Sequence, residues 1–139
     1  MPIRLRIDAG VAADVAAEVR RMVAGFRRLS RTDHRVSVRV VPAPCILSPA
    51  EVMCFGLFEG PPCKPHRWPA TRAVRVCVSG VALDGFGLTR RQRVARIGRT
   101  VLHELVHYEQ WRDGRPMTER GAELRAAHLR RKILATPKR

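Results

Sequence analysis

The chain has 139 residues, of which 45% are hydrophobic, and it carries a formal net charge of +15. This length suits a single domain over residues 1–139, and the hydrophobic content excludes a disordered chain. The 27 Lys and Arg against 12 Asp and Glu would attract anionic partners such as nucleic acid, acidic protein or a membrane surface. The basic residues form no dense run, however, so a solvated basic surface is the preferred explanation of the charge.

The N-terminal segment lacks the hydrophobic stretch of a secretion signal, and no apolar run approaches the roughly 20 residues that a membrane span needs. We therefore expect a soluble, cytoplasmic protein with no membrane partner. Its four cysteines would stay reduced; they are Cys45, Cys54, Cys63 and Cys77. Cys63 and His66 have Cys-x-x-His spacing, which permits a second metal with Cys45 or Cys54. Inert thiols are favoured, because the other spacings match no common zinc framework.

The first 80 residues predict one helix followed by strands. Apolar residues recur at helical spacing over residues 11–29. Residues 36–40 alternate valine with polar side chains, as in a strand, and residues 73–79 do the same. Between them, residues 52–58 form a second apolar run, and four prolines mark residues 59–70 as a loop.

Two further helices are predicted after this loop. Thr89 stands three residues before Gln92, which predicts a capping box at a helix start. That helix should run to about Arg112, where Asp113–Gly114 ends it, and a last helix should span about residues 119–134. The order of helix, strands, helix and helix indicates an α+β fold with an N-terminal helix and a small, mostly antiparallel sheet.

The motif His-Glu-Leu-Val-His occupies residues 103–107, inside the first of these two helices. Residues four apart share a helix face, so the imidazoles of His103 and His107 can reach one ion, and neutral imidazole is a good zinc ligand. Glu104 can then act as a general base that takes the proton of an attacking water. The sequence therefore predicts one Zn²⁺ and a zinc metallopeptidase activity.

The apolar positions of this helix provide an independent check on the motif. They form one stripe at helical spacing, made of Val94, Ile97, Val101, Leu105 and Tyr108. His103 and His107 fall on a neighbouring face rather than on the stripe. A pair of structural core histidines is therefore the less favoured interpretation.

Catalytic zinc usually has three protein ligands and one open position. If the last helix returns antiparallel after a turn over residues 113–117, a rise of about 1.5 Å per residue brings Glu123 level with His107. Glu119 would lie roughly one turn nearer the hairpin. We therefore expect Glu123 to be the third ligand, with Glu119 as the alternative. The acid that does not bind the metal would orient a histidine ligand.

The motif followed by Glu123 on a second helix resembles the compact gluzincin peptidases in their minimal form, the minigluzincins. Residues 118–126 resemble the glutamate helix that supplies the third ligand in that family, and the resemblance covers about residues 88–134. It implies a peptide or protein substrate. It also implies that the strand before the active-site helix, residues 73–78, forms the upper edge of the cleft, where an extended peptide can add as a further strand.

Two features of the family leave residue roles open. Gluzincins often place an acid four residues after the glutamate ligand. That position is Ala127 if Glu123 is the ligand, so this feature fits Glu119 better. No residue is singled out to stabilise an oxyanion; Tyr108, His128 and several arginines are candidates.

Other classes of protein share parts of this pattern. SprT-like, DNA-associated metallopeptidases have the same His-Glu-x-x-His core and a basic surface, but they take a third histidine, and none occurs between Tyr108 and Ala127. A basic nucleic-acid-binding protein with a structural or vestigial zinc site is the alternative from another class. The enzyme is favoured because a structural site would be expected to close with four protein ligands and does not need Glu104.

Overall fold

The computed structural model describes residues 2–81 and 87–137 of the chain. Three helices and six strands make up the described part. The strands are β1 (Ile3–Ile7), β2 (Val36–Val41), β3 (Ile46–Leu47), β4 (Met53–Cys54), β5 (Gly56–Glu59) and β6 (Val74–Ser79). The helices are α1 (Ala13–Leu29), α2 (Arg90–Arg112) and α3 (Glu119–Ala135), with a short 3₁₀ turn at Pro65–Arg67.

Four strands form a mixed sheet in the order β1-β2-β6-β5, and β3 and β4 form a separate antiparallel pair. The prediction of an α+β fold is confirmed, but the expectation of a mostly antiparallel sheet is wrong. The pairs β1–β2 and β2–β6 are parallel, and only β6–β5 is antiparallel. One of the two parallel pairs comes from β1, which the sequence analysis did not predict, and the other joins β2 and β6, both of which it did predict. With α1 as the crossover, β1 and β2 form a βαβ unit, which makes the two strands parallel.

The core lies between one face of the sheet and the helices. Helices α1 and α2 pack on that face, and α3 packs against both of them. The alternation seen in the sequence directs one set of valines into the core, and all of them are buried; they are Val36, Val38, Val40, Val74, Val76 and Val78. Phe26 on α1 and Tyr108 on α2 are the largest fully buried side chains.

The predicted boundaries of α2 and α3 are confirmed. The Thr89 hydroxyl accepts the backbone N–H of Gln92, and the Gln92 side chain accepts the N–H of Thr89, which completes the capping box. Helix α2 ends at Arg112, and Gly114 follows with φ of +66°, a conformation that favours glycine. Thr118 caps α3 through the N–H of Gly121. No helix in the described part of the chain has the length and apolar character to cross a membrane.

Candidate metal centre

Helix α2 brings the three polar residues of the motif together. The potential ligand atoms of His103, Glu104 and His107 lie within 4.8 Å of one another, so this group could hold a metal ion. Glu104 and His107 are each only 6% exposed. Within residues 2–81 and 87–137 no group that includes a cysteine meets this criterion. No second metal site at the cysteines is therefore supported there.

Glu119, the first residue of α3, faces both histidines. Its Oε2 lies 2.8 Å from Nε2 of His103, and its Oε1 lies 3.0 Å from Nε2 of His107. The Nε2 atoms of the two rings therefore converge on one carboxylate. Imidazole nitrogens and a carboxylate oxygen are the donor types that zinc takes in catalytic sites.

Glu123 occupies a different position, on the far side of one imidazole. Its Oε1 lies 3.0 Å from Nδ1 of His103, although the angles do not make a hydrogen bond, and Nδ1 has no hydrogen-bond partner in the described structure. Glu123 is thus placed to orient His103, whereas Glu119 meets the two nitrogens that converge. Our sequence analysis favoured the opposite assignment of these two acids.

The path of the chain between α2 and α3 explains this arrangement. The backbone N–H of Arg115 donates to the Gln110 carbonyl at 2.8 Å, and the Gln110 side-chain amide donates to the Thr118 carbonyl at 3.1 Å. The connecting loop therefore folds back along the last turns of α2 before α3 begins. An extended residue covers about 3.3 Å against about 1.5 Å in a helix, so the loop brings the start of α3 further back than a symmetric helical hairpin would. Glu119 is consequently already level with the histidines.

Gln110 fixes the second histidine, a role that the sequence analysis missed. Its Oε1 lies 2.8 Å from Nδ1 of His107, and both residues are buried. An amide oxygen can only accept, so Nδ1 carries the proton and Nε2 keeps its lone pair for a metal. The spacing of three residues between His107 and Gln110 on one helix is the signal that could have identified it.

Strand β5 forms the wall of the cleft opposite α3. A Cβ at Gly56 would lie 2.7 Å from Cγ2 of Thr100 and 2.8 Å from Cγ of Glu104, so glycine allows the strand to approach α2 this closely. The ring of Phe58 stacks on His107 with 6.5 Å between centroids. Between β5, α2 and α3 a cavity of about 610 Å³ opens, and His103, Glu104 and Glu119 line it.

Strand β6 does not form the edge of the sheet, which corrects the expectation for residues 73–78. It is paired with β2 on one side and with β5 on the other. The edge nearest the motif is β5. The Ser79 N–H donates to the Phe55 carbonyl at 2.8 Å, so by alternation Gly56 and Phe58 direct their N–H and C=O groups away from β6. The strand that an extended peptide could join is therefore β5.

Burial controls the ionisation of Glu104. It raises the pKa of this carboxyl above its usual value, while the neighbouring His103 and His107 oppose the rise and Glu119 adds to it. A carboxyl whose pKa is shifted toward neutrality is better suited to accept and return a proton.

Two residues considered for oxyanion stabilisation lie away from the cleft. The Tyr108 hydroxyl accepts the N–H of Asp33 at 3.1 Å and contacts Nδ1 of His34 at 2.9 Å, so it holds a loop from within the core. His128 is exposed and does not line the cavity. Of the candidates, only arginines reach the cleft; Arg96 and Arg99 line its wall.

No protein-family model, curated protein or solved structure matches this chain.

Proposed function

We propose that the protein is a zinc-dependent metallopeptidase in which His103, His107 and Glu119 bind the metal. The observation that carries the proposal is the contact of one Glu119 carboxylate with Nε2 of both histidines, at 2.8 and 3.0 Å. Three protein ligands leave a position open, as in catalytic rather than structural zinc sites. Glu119 supersedes Glu123 as the proposed third ligand.

The residues present fit a zinc ion. Gln110 holds His107 in the tautomer that leaves Nε2 free, and Glu123 lies beside Nδ1 of His103, where a small rotation would complete the same arrangement. Gluzincins often carry an acid four residues after the glutamate ligand. With Glu119 as the ligand, Glu123 is that acid, so the chain then fits this feature of the family.

Zinc bound there would lower the pKa of a water molecule and polarise the scissile carbonyl. Glu104 is proposed to take the proton from that water and to return it to the leaving amine. Its side chain is buried beside both histidines, and no hydrogen bond within the described residues occupies its carboxylate. Burial keeps the carboxyl poised for this transfer, because it raises its pKa.

The free edge of β5 supports a peptide as the substrate. Gly56 and Phe58 lie beside Glu104 and His107, and their outward backbone groups can pair with an extended chain. Strand addition would hold a peptide bond at the level of the motif without selecting side chains.

The test combines metal analysis with hydrolysis of an unstructured protein such as casein. We expect about one zinc per chain, lost in His103→Ala and His107→Ala. Glu104→Gln should retain the zinc and lose hydrolysis by roughly 100-fold or more, because the amide keeps the shape but cannot accept the proton. Zinc content that is unchanged in both histidine variants would refute the metal site. Zinc loss in Glu104→Gln would show that Glu104 is a ligand rather than the base.

A further inference from the structure

The charged residues that line the cleft are separated along its length. Glu104, Glu119 and Glu123 surround the two histidines at one end. Arg96 and Arg99 line the other end, toward the start of α2. A divalent ion would offset the negative charge of the first end, and among the described lining residues no Asp or Glu lies beside Arg99 at the second. The cleft therefore offers a binding partner a positive half beside the metal centre.

The position of the arginines follows from the helix. Arg99 lies four residues before His103 and Arg96 seven residues before it, so they stand about 6 Å and 10 Å from that histidine along the axis. An extended peptide advances about 3.3 Å per residue. If a peptide bond is held at the motif, the peptide residues about two and three positions further along therefore come level with Arg99 and Arg96. Within the described residues, no carboxylate lies within ion-pair distance of Arg99.

The direction of a bound peptide follows from β5. Gly56 lies beside Thr100 and Glu104, and Phe58 lies against His107, so β5 and α2 run the same way. A peptide that pairs antiparallel with β5, the slightly more stable arrangement, runs from the His107 end toward Arg99. The residues that reach the arginines are then those on the carboxyl side of the bond at the motif.

We propose that this cleft selects peptides with a carboxylate two or three residues to the carboxyl side of the scissile bond, bound by Arg99 and supported by Arg96. Guanidinium groups bind carboxylates with paired, charge-assisted hydrogen bonds. The carboxylate belongs either to an Asp or Glu side chain or to the end of the peptide chain. This inference rests on the proposed peptidase function, but it concerns binding and can fail separately.

The experiment measures peptide binding to the zinc-loaded Glu104→Gln protein, so that turnover does not interfere. The peptides are seven residues of alanine and leucine with a fluorophore at the amino end. One carries Glu near an amidated carboxyl end, a second carries Gln there, and a third carries that Gln with a free carboxyl terminus. A fourth carries Glu near the amino end. Fluorescence anisotropy at about 50 mM and 300 mM salt gives each affinity.

We expect the first peptide to bind roughly tenfold more tightly than the second at low salt, with the gap narrowing at high salt. Arg99→Gln should abolish that preference and leave the affinity for the Gln peptide unchanged. Arg91→Gln is the matched control, because it removes the same charge from an exposed position on α2 outside the cleft, and it should keep the preference. Tighter binding of the third peptide than of the second would identify the chain terminus as a source of the carboxylate.

Equal affinities for the Glu and Gln peptides, or a preference that survives Arg99→Gln, would overturn the inference while leaving the proposed function standing. A preference for Glu near the amino end would overturn the antiparallel alignment on which it depends. Failure of every peptide to bind at millimolar concentration would count against both the inference and the peptidase function.

Discussion

Helix α2 carries buried polar side chains on two faces, and their surroundings differ. On the face toward α1 and α3, the Glu109 carboxylate accepts hydrogen bonds from the Ser30 hydroxyl and from the Arg125 guanidinium at 3.1 and 3.2 Å. On the face toward the cleft, Glu104 makes no hydrogen bond within the described residues, and Nδ1 of His103 has no hydrogen-bond partner there. The Glu109 carboxylate thus has its hydrogen-bond partners within the fold, and we call its side of α2 the satisfied face; on the cleft face, Glu104 and Nδ1 of His103 lack such partners among the described residues.

The hydrogen bonds of Glu109 stabilise the fold, whereas, in the described part of the chain, Glu104 and Nδ1 of His103 are buried without hydrogen bonds that would do so. Buried polar atoms without partners cost stability, so a protein retains them where a ligand or a reaction uses them. The partners of Glu109 come from α3 and from the end of α1, which ties three helices together. Substitution on the satisfied face should therefore lower the stability of the fold, whereas substitution on the cleft face should weaken metal binding.

The largest effect is expected at Glu119, the proposed metal ligand on α3. Glu119→Ala should weaken zinc binding by more than 100-fold, since it removes the carboxylate that meets both Nε2 atoms. Glu123→Ala should weaken it by roughly 10–100-fold, as is typical for a residue that orients a ligand. Competition with a chromogenic chelator measures both affinities.

Each of these two acids serves as the control for the other, because both side chains are more than 70% exposed and neither should alter the thermal stability of the metal-free protein. A larger zinc defect in Glu123→Ala than in Glu119→Ala would return the ligand role to Glu123.

The next effect belongs to the satisfied face. Glu109→Ala should lower the free energy of unfolding by about 2 kcal/mol, because it leaves the Ser30 hydroxyl and the Arg125 guanidinium without their buried acceptor. The estimate is kept low because Arg125 is 38% exposed and finds water when its partner is removed. Urea unfolding of the metal-free proteins gives the value.

Zinc affinity measured on folded Glu109→Ala should stay within a few-fold of the original. A loss of zinc as large as that of Glu119→Ala would mean that the two faces of α2 are not independent.

Gln110 bonds both to His107 and to the Thr118 carbonyl before α3, and its substitution should give an intermediate result. Gln110→Leu should weaken zinc binding roughly tenfold, since it releases Nδ1 of His107 and lets the ring change tautomer. Gln110→Glu keeps an acceptor for the same nitrogen and should restore most of the affinity. Zinc affinity that is equal in Gln110→Leu and the original protein would remove Gln110 from the site.

The smallest effect concerns Asp113, which ends α2. Arg112 and Arg115 hold the pKa of its carboxyl well below the ordinary value of 3.8. A depressed pKa means that the ionised form stabilises the fold above that ordinary value and that this contribution is lost as the pH falls through the folded-state pKa. Asp113→Asn should therefore cost about 1 kcal/mol near neutral pH, and the difference should shrink below about pH 3.8.

Urea unfolding of both proteins at about pH 6 and pH 2.5 tests this. Asp113 is 22% exposed and lies away from the cleft, so zinc content should be the same in the two proteins. A stability difference that does not change with pH would assign the effect to helix capping rather than to charge.

Local patterns predicted the parts of the fold that local interactions determine. The capping box at Thr89 and the glycine after α2 fix the ends of the helix that carries the motif, and the four-residue spacing brings His103 and His107 together whatever the surrounding fold. Strand β1 was missed although its five residues carry the alternation of a strand, with Ile3, Leu5 and Ile7 separated by arginines. They become a strand by pairing with β2.

The assignment of Glu119 and Glu123 shows where sequence reasoning stopped. Both predicted helix ends were correct, yet Glu119 rather than Glu123 contacts Nε2 of both histidines, and which acid binds a metal stays a prediction. The position of Glu119 depends on the path of residues 113–118. Two hydrogen bonds of Gln110, one from the Arg115 N–H and one to the Thr118 carbonyl, determine that path, and no rule of residue spacing predicts them. Register between helices depends on such tertiary contacts as well as on helix lengths.

The proposed ligands lie close together in the sequence, whereas the strand that forms the opposite wall of the cleft lies far from them. Sixteen positions separate His103 from Glu119, and α2 and α3 carry the whole set. Strand β5 comes from more than forty positions upstream, beside a proline-rich loop. The proposed ligands and the strand that faces them are therefore encoded in separate stretches of the chain. We expect insertions or exchanges between β2 and β6 to alter the cleft wall while the proposed ligands remain intact.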